Sequence, residues 1–568
     1  MRGVTGKRIL IYINTVKYLK WVQIWHQLRN RILNKRKDKI LKRILAVSNI
    51  PQTQTVSVMM PELDTGQNYL ARFCIDGLLN NEVEILHEKH VIDLREWEVT
   101  EASHLWNYNL HYLEFLIPLA VAGRDDTSEQ CFRKWCDYVD AWMDHPVRDS
   151  FEPYTISMRI PNLLICMNIL REKLQGSELE KKLIRSIYQQ YQYLLATQEL
   201  ALLANHYFEN LKTIVICSVL FGEKDNYKKY FAKFYGQIKE QILADGLHYE
   251  RSLMYHKIVL EDTLRVYTAL DGRKEYRNDA GKLLDETERM AAALASISRG
   301  MPRTPLFNDA GNNVAKDTDD LLSAVRKITA RSVPDEQTVF DASGYYKLYA
   351  GESTLLFDCG QIGPAYMGGH AHCDCLSFEL TRGGKTVFAN SGTYQYQGRL
   401  RQFFRSTAAH NTVMVDDREQ AELWGEHRAA RRMSEIECEV SEKAVSGRFR
   451  SFSGDYIYRK IELTKNALNI KDRVLTKDRK QHIARQFFHL HPECCFCADT
   501  AQQFSVWDDG KRQVVILIPP GSVGVIHREG DICFFAQDFG ELERKGVLEI
   551  RTPFVKNVEI TVFIQLVQ

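Results

Sequence analysis

The sequence predicts an α+β chain of several domains, in which helices come first and an antiparallel β-sandwich follows. The chain has 568 residues, too many for one ordinary core. Apolar residues recur at helical spacing from Leu105 to about Arg331, and short alternating segments follow Ser332-Val333-Pro334. We therefore expect a basic N-terminal region packed on the body (1–95), a helical domain (96–333) and a sheet domain (334–568).

The composition is that of a folded soluble protein without a strong overall charge. Lys and Arg (75) nearly balance Asp and Glu (73), so nothing in the net charge requires nucleic acid as a partner. The thirteen cysteines show no repeated pairing interval, which favours a reducing compartment. The first apolar run is short, broken by Asn14 and Lys17, and no later run reaches the roughly twenty residues of a membrane span. We expect a cytoplasmic location.

The N-terminal region is strongly basic between residues 7 and 43, with aromatic and aliphatic residues such as Tyr18, Trp21 and Trp25 between the charges. One interpretation is an amphipathic helix that contacts a membrane surface or a polyanion. The other is a terminal helix packed on the body with a solvated charged face. The second is favoured, and a weak membrane-surface contact stays open.

The helical domain contains helices of roughly ten to twenty residues joined by short polar turns. They can form stacked pairs or close into a ring, and a ring would leave a central groove. In the sheet domain, Gly383-Gly384 and Asp509-Gly510 predict tight hairpins. A cleft between the two domains is the favoured place for a ligand.

The first polar cluster is Asn205-His206-Tyr207-Phe208-Glu209-Asn210, which opens a helix just before an apolar stretch. Asn205 and Glu209 share one helix face at i,i+4 spacing, and free backbone amides at this end can bind an anion. Helix capping by Asn205 beside a surface His206 explains the pattern equally well.

The second cluster, residues 245–256, is the densest in groups that transfer protons or bind carboxylate. If a helix begins near Glu250, Arg251 and Tyr255 share a face, and the cation could lower the pKa of the tyrosine. For Tyr255 alone, a buried tyrosine bonded to a carboxylate is the more common situation.

Three histidines stand out in the sheet domain. His370 and His372 are two residues apart, so in a strand both would point the same way, and His410 precedes another strand. Such spacing is typical of metal ligands or catalytic groups. Their convergence in space is an assumption at this stage.

Six segments occur in an order that resembles the heparinase II/III family of polysaccharide lyases: NHYFEN, DGLHYERSLMYHKIVLED, PLFNDAG, GGHAHCDCLSFEL, NSGTYQY and RSTAAHNTVMVD. The resemblance extends from about Leu105 to His427. It implies an (α/α) toroid followed by a β-sandwich, with an acidic polysaccharide or oligosaccharide bound in the cleft between them.

The resemblance also implies β-elimination on a uronic-acid glycan, either heparin/heparan-like or an exopolysaccharide. Asn205 and His206 would contact the uronate carboxylate, Tyr255 would be the catalytic tyrosine and His370 its partner. The C5 proton of a uronate becomes removable once the carboxylate charge is neutralised. Further substrate-binding positions are expected at Glu209, Arg251, His256 and Arg405.

A structural Zn²⁺ is also implied, bound by the equivalents of His372, Asn390 and His410. Asn390 stands where the family has an aspartate, and an amide binds zinc more weakly than a carboxylate.

Two other functions stay open. A glycoside hydrolase on the same helices would need two suitably spaced carboxylates, and the available ones are Glu209, Glu250, Glu261 and Asp309. A non-catalytic glycan-binding or polysaccharide-assembly protein would fit the basic N-terminal region.

Overall fold

A computed structural model of the chain describes residues 2–33, 36–125, 128–145 and 148–567. The N-terminal region begins with three helices, α1 (Arg2–Val16), α2 (Trp21–Leu33) and α3 (Lys37–Leu45). α3 packs Ile40 and Leu41 against the helical core, and an extended segment then contributes Val58 to that core. The core of the helical domain therefore already includes residues before position 96.

Short elements connect this segment to the helical domain. They are α4 (Pro61–Asp64), α5 (Gln67–Leu70), α6 (Ile75–Leu79), the hairpin β1 (Glu82–Ile85) and β2 (Glu88–Val91), and α7 (His104–Leu110).

The helical domain has two layers of helices. The inner helices are α8 (Leu116–Gly123), α10 (Pro153–Ile169), α13 (Ala204–Leu220) and α15 (Leu253–Leu270). The outer ones are α9 (Glu129–Asp144), α12 (Glu178–Thr197), α14 (Lys224–Gln241) and α16 (Arg277–Ser298), with α11 (Arg171–Leu174) as a short link. α17 (Thr318–Thr329) packs on α16 and α4.

Inner and outer helices alternate along the chain and contact their neighbours in turn, which is the arrangement of an (α/α) toroid. α13 shows why the inner layer forms: every side chain in it except that of His206 is buried. A helix that is apolar nearly all round must be surrounded by others. The prediction of a helical domain followed by a sheet domain is confirmed, and of the two helical arrangements the ring is the one adopted.

The sheet domain begins with a five-stranded sheet in chain order: β3 (Val339–Phe340), β4 (Tyr345–Ala350), β5 (Ser353–Asp358), β6 (Phe378–Arg382) and β7 (Lys385–Phe388). Helix α18 (Arg399–Phe404) follows. The later strands are β8 (Val413–Val415), β9 (Leu423–Trp424), β10 (Arg428–Ala429), β11 (Ser434–Val440), β12 (Ala444–Arg450), β13 (Tyr456–Leu463), β14 (Ala467–Leu475), β15 (Gln481–His489), β16 (Cys494–Ala498), β17 (Gln503–Asp508), β18 (Lys511–Leu517), β19 (Val523–His527), β20 (Phe534–Phe535), β21 (Glu543–Arg544), β22 (Val547–Val555) and β23 (Asn557–Leu566).

Twelve of these strands form a second, antiparallel sheet whose main path runs β11-β12-β13-β14-β23-β18-β17-β16. Burial alternates along β12, β13 and β14, so one face of this sheet is covered. One apolar core contains residues of both sheets, such as Phe357 and Phe378 from the first and Ile461 and Ile564 from the second. The domain is therefore a β-sandwich.

The two domains meet at the beginning of α15. Met254 and Tyr255 pack there with Leu306, from the loop between α16 and α17, and with Phe535 of the sheet domain. Arg251, just before the helix, donates hydrogen bonds to the backbone oxygens of Ser343 and Gly363 in the sheet domain. The junction thus fixes the start of α15 against the loops of the sandwich.

The N-terminal helices bridge the same junction on the outside. Gln23 of α2 donates to the backbone oxygens of Leu202 in the helical domain and Tyr366 in the sheet domain. The ring nitrogen of Trp424 donates to Thr15 of α1 at 2.9 Å. Within the described ranges, no helix is long and apolar enough to cross a membrane.

Candidate active site

The site is organised around Asp309, a fully buried carboxylate in the loop between α16 and α17. Its Oδ2 atom lies 2.9 Å from Nδ1 of His370, and its Oδ1 atom lies 2.8 Å from Nε2 of His372. The guanidinium of Arg401 binds both carboxylate oxygens. Burial opposes the charge on Asp309, but Arg401 and the two histidines outweigh burial and hold the pKa of this carboxyl well below its usual range.

Two buried arginines hold the loop that carries the histidines. Arg401 donates to the backbone oxygen of Gly369, and Arg405 donates to those of Gly368 and Ala371. Residues 368–372 form a loop rather than the strand assumed from the sequence. Both histidines nevertheless reach one carboxylate, because Arg401 binds both Asp309 and the backbone oxygen of Gly369 and so ties the loop to that carboxylate.

Tyr255 faces His370 across the domain junction. Their ring centroids are 4.3 Å apart, and the Tyr255 hydroxyl lies 2.6 Å from that of Tyr396. Ser252 caps α15 by accepting a hydrogen bond from the backbone amide of Tyr255 at 3.3 Å, which places the tyrosine in the first helical turn. Burial, followed by the neighbouring tyrosines Tyr396 and Tyr154, raises the pKa of Tyr255 well above its ordinary value. The hydroxyl therefore keeps its proton at neutral pH.

Asn205 and His206 open α13 at a strained turn. Leu203 and Ala204, just before them, have φ values of 63° and 51°. Such backbone in ordinary residues costs about 1–3 kcal/mol and tends to occur at functional sites. Nδ1 of His206 lies 3.1 Å from Glu199, and although burial lowers the pKa of His206, the Glu199 carboxylate raises it above its ordinary value. His206 is therefore biased towards the imidazolium.

Two residues connect this turn with the Tyr255–His370 pair. The ring of Tyr154 lies 4.7 Å from that of His206 and also influences the pKa of Tyr255. Oε2 of Glu250 lies 3.8 Å from Nε2 of His370, and the backbone amide of Asn205 approaches the same carboxyl. Burial raises the pKa of Glu250 more than the two nearby histidines lower it.

The structure thus brings Asn205, His206, Tyr255 and His370 into one cluster. Each of the four expected substrate-binding residues is bound within the protein, although Oε1 of Glu209 and Nδ1 of His256 have no hydrogen-bond partner among the described residues. Glu209 is buried against Lys212, which also binds Asp262. The ring of His256 is directed at the backbone oxygen of Met290.

The guanidinium groups of Arg251 and Arg405 are bound to backbone oxygens, and for Arg251 this follows from its backbone conformation. α15 begins at Leu253 rather than near Glu250, and Arg251 has a φ of 58°. Its side chain is therefore not on the helix face of Tyr255, and it binds backbone oxygens of the sheet domain instead. Arg405 donates to backbone oxygens of the histidine loop, as described above, so the guanidinium groups of both arginines are occupied within the protein.

A second group of potential ligands lies beside the cluster. Ligand atoms of His372, Asp374 and His410 all lie within 4.8 Å of one another, and all three residues are buried. The sequence assigned the third position to Asn390, but the Oδ1 atom of Asn390 accepts hydrogen bonds from Ser377 and from the amide of Asn411. Asp374 supplies the carboxylate that Asn390 lacks.

The ring nitrogens of this group favour a cation between the two histidines. Nε2 of His372 is engaged by Asp309, and Nδ1 of His410 faces the backbone oxygen of Ser406 at 2.8 Å. Both partners accept hydrogen bonds, so both rings carry their proton on the outer nitrogen. The inner nitrogens then face each other as lone pairs at 3.2 Å. Two histidines and a carboxylate suit Zn²⁺, and each histidine already has the outer partner that zinc ligands usually have.

Several site residues were not assigned a role from the sequence. Asp309 and Glu250 were considered only as carboxylates of a hydrolase, although PLFNDAG was among the recognised segments. Tyr396 is the last residue of the recognised segment NSGTYQY, and its place in this segment was the only signal for it. Glu199 and Arg401 carry no sequence signal, because isolated charged residues in polar stretches are usually solvated.

The toroid, the sandwich and a titratable cluster at their junction define a class of two-domain folds with solved examples. The chain is similar to heparinase III (TM-score 0.70, 14% identity, covering 96% of this chain and 91% of that one). It is also similar to a heparan sulfate lyase from Pedobacter heparinus (TM-score 0.57, 16% identity, 93% and 87%). A third example is the chondroitin AC lyase of Streptomyces coelicolor A3, solved with chondroitin sulphate (TM-score 0.51, 10% identity, 94% and 82%).

The chain belongs to the heparinase II/III family. The model of the heparinase II/III N-terminus matches residues 54–339, and that of the heparinase II/III-like C-terminal domain matches residues 333–554. A heparin-sulfate lyase of Bacteroides thetaiotaomicron is 23% identical over 376 residues, covering 56% of this chain and 53% of the relative. One of Pedobacter heparinus is 22% identical over 368 residues (57% and 54%). The aligned regions thus span about half the length of these curated relatives.

Proposed function

We propose that the chain is a polysaccharide lyase that cleaves a uronic-acid glycan by β-elimination. The observation that carries the proposal is the pairing of His370 with Tyr255 at the domain junction. Asp309 accepts the Nδ1 proton of His370, which leaves Nε2 as a lone pair, while Tyr255 keeps its phenolic proton. A base in the loop held by Arg401 and Arg405 and an acid in the first turn of α15 therefore lie side by side.

The two groups divide the chemistry of elimination between them. Nε2 of His370 takes the C5 proton of the uronate, and the electron pair of that bond forms the C4–C5 double bond. The C4–O4 bond breaks, and the leaving oxygen takes the proton of Tyr255. Tyr255 then regains a proton from His370 or from water, which restores the site.

The start of α13 supports the first step. A uronate carboxylate beside Asn205 would meet the imidazolium of His206 and the backbone amides at the N-terminus of α13. Burial raises the pKa of Glu250, so its acid form persists to a higher pH than that of an ordinary carboxyl and can there donate a further hydrogen bond to the uronate. Neutralising the carboxylate in this way lowers the pKa of the C5 proton.

Hydrolysis is less well supported, because three of its four candidate carboxylates are bound by cations. Asp309 is held by Arg401, Glu209 by Lys212 and Glu261 by Arg265. Glu250 pairs with no Lys or Arg among the described residues, its ion-pair contact being with His370 at 3.8 Å, and a hydrolase needs two carboxyl groups across the bond.

The substrate class follows from the relatives and the site together. The curated relatives are named heparin-sulfate lyases, and the group at α13 suits a carboxylate on a sugar. We propose a heparin/heparan-like glycan or a uronate-containing exopolysaccharide as the substrate.

We further propose that His372, Asp374 and His410 bind one structural Zn²⁺. The ion would hold the loop that carries His370, while the base and acid steps stay with the protein side chains. The facing lone pairs of the two histidines support this assignment.

The decisive experiment is incubation with uronate-containing polymers. A lyase produces the ultraviolet absorbance of a C4–C5 unsaturated uronide. New reducing ends without that absorbance would indicate hydrolysis, and neither product would indicate a binding protein. Tyr255→Phe and His370→Ala should each lower the rate by about 10²–10⁴-fold with folding retained, since each removes one proton-transfer group. Tyr349→Phe, a partly exposed tyrosine of the sheet domain, is the matched control.

A further inference from the structure

One face of α2 exposes large apolar side chains to solvent. Trp21, Trp25 and Leu28 are spaced at i, i+4 and i+7, which places them on a single helix face. Trp21 is 82% exposed and Trp25 is 65% exposed. The helix is nevertheless anchored, because Gln23 is buried and bound to both domains.

Helix α1, which precedes α2 in the chain, also exposes apolar side chains. The described part of the chain has twenty exposed large hydrophobic side chains, and nine of them belong to residues 1–45. Five of the nine lie on α1: Ile9, Leu10, Tyr12, Ile13 and Val16. Scattered exposed apolar residues are ordinary, but a concentration on two adjacent helices marks an interaction surface. We call α1, α2 and α3 together the N-terminal face.

This face is also strongly cationic. Residues 1–45 carry thirteen Lys and Arg side chains and a single Asp, whereas over the whole chain Lys and Arg exceed Asp and Glu by only two. The rest of the molecule is therefore net acidic. Arg29 and Arg31 on α2, and Arg36, Lys39, Lys42 and Arg43 on and beside α3, are exposed.

We propose that the N-terminal face docks the protein on an anionic phospholipid surface. Tryptophan and aliphatic side chains enter the interfacial layer of a membrane, while arginine and lysine bind the acidic head groups. Since no described helix can span a bilayer, the contact is peripheral.

Two other partners fit the surface less well. An acidic glycan would bind the cations, but it offers no apolar phase for Trp21 and Trp25. A second copy of the chain would cover the tryptophans, but a symmetric contact would bring two strongly cationic faces together. The combination of exposed apolar and basic groups favours lipid over both.

The anchoring contacts place the docked surface beside the cleft. Leu202, which accepts from Gln23, lies three residues before Asn205. Tyr366, which accepts from Gln23 and lies under the ammonium of Lys20 at 4.0 Å, precedes His370 by four residues. A membrane under the N-terminal face would therefore lie next to the rim of the site.

The test is co-sedimentation of the full chain with phosphatidylcholine vesicles, with and without phosphatidylglycerol. The expected result is binding that requires phosphatidylglycerol and weakens with salt. Trp21→Gln with Trp25→Gln should lower the partition coefficient by about tenfold per residue, since each loses the free energy of apolar burial. Arg29→Gln with Arg31→Gln should lower it by about fivefold per charge.

The matched control is Val523→Gln with Phe563→Gln, which removes two exposed apolar side chains of the sheet domain and should leave binding unchanged. Circular dichroism checks folding, and the rate on a soluble uronate polymer should be unaffected in every variant, so the result is independent of the proposed lyase activity. Equal binding to neutral vesicles, or full binding by the tryptophan variant, would overturn the proposal. An absence of vesicle binding would also overturn it. Retention of the chain on a heparin column through Arg29 and Arg31 would then indicate a glycan partner, and dimers formed through the tryptophans would indicate a second copy of the chain.

Discussion

Oε2 of Glu250 lies 3.8 Å from Nε2 of His370, the atom that we propose as the base. Glu250 is buried, and within the described part of the chain neither of its oxygens has a well-formed hydrogen bond. A buried carboxyl without a fixed partner is poised to bind an incoming group. Its place between His370 and the amide of Asn205 is where a uronate carboxylate would enter.

Glu250→Gln should retain more activity than Glu250→Ala, because an amide can still donate a hydrogen bond to the substrate. The pKa of Glu250 is raised by burial, so the wild-type rate should fall as the pH rises through that pKa and the donor is lost. In Glu250→Gln this alkaline loss should disappear. The measurement is kcat/KM against pH for the three proteins, and an unchanged alkaline limb in the glutamine variant would remove Glu250 from the substrate site.

Glu199→Gln should weaken substrate binding at neutral pH. The Glu199 carboxylate raises the pKa of His206 against the effect of burial, so without it the pKa falls and the imidazolium is lost at a lower pH. A charge-assisted hydrogen bond to the substrate carboxylate then becomes a neutral one, and we expect KM to rise about tenfold. Lowering the pH should partly restore it. A pH-independent defect would show that Glu199 acts only in folding.

Arg401→Met should destabilise the fold by about 3–5 kcal/mol, because it leaves the buried charge of Asp309 without its main partner. Arg399→Met is the matched control on the same helix. Arg399 is 74% exposed and pairs with Asp531, so its loss should change the free energy of unfolding little. Urea unfolding of the two variants and the wild type gives the comparison, and equal stability of both variants would contradict the assigned role of Arg401.

The metal assignment predicts about one Zn²⁺ per chain by elemental analysis. Asp374→Asn and His410→Ala should lower the metal content, and a chelator should reduce the Tm of the wild type but not of these variants. Asn390→Ala tests the residue assigned from the sequence and should keep its metal. If the wild type contains no metal and its Tm changes with neither chelator nor added zinc, His372 and His410 share a proton instead of a metal ion.

The sequence was sufficient for the order of the domains and for the cluster of Asn205, His206, Tyr255 and His370, because each lies in a segment with a recognisable pattern. It was insufficient for Arg251, since the start of α15 at Leu253 and the positive φ of Arg251 depend on contacts with the sheet domain. It identified His372 and His410 of the possible ligand group but not Asp374, which lies in the same segment as His372 and gives no separate signal.

The strand order of the larger sheet could not be predicted for a related reason. β14 pairs with β23, although eight strands separate them in the chain, and β15 pairs with β22 and β8. Alternating residues identify a strand and its buried face, but they do not identify its neighbour. Long-range pairing is set by the packing of the whole sandwich.

Asp309 gives the two parts of the site a single counter-ion. One of its oxygens orients the histidine that takes the proton, and the other orients the histidine that faces His410. Protonation of this one carboxyl would free Arg401 and release both rings together. Acidification should therefore abolish catalytic activity and disrupt the ligand group in one concerted step. A mutation that alters the ligand group should likewise change the catalytic activity, and the reverse.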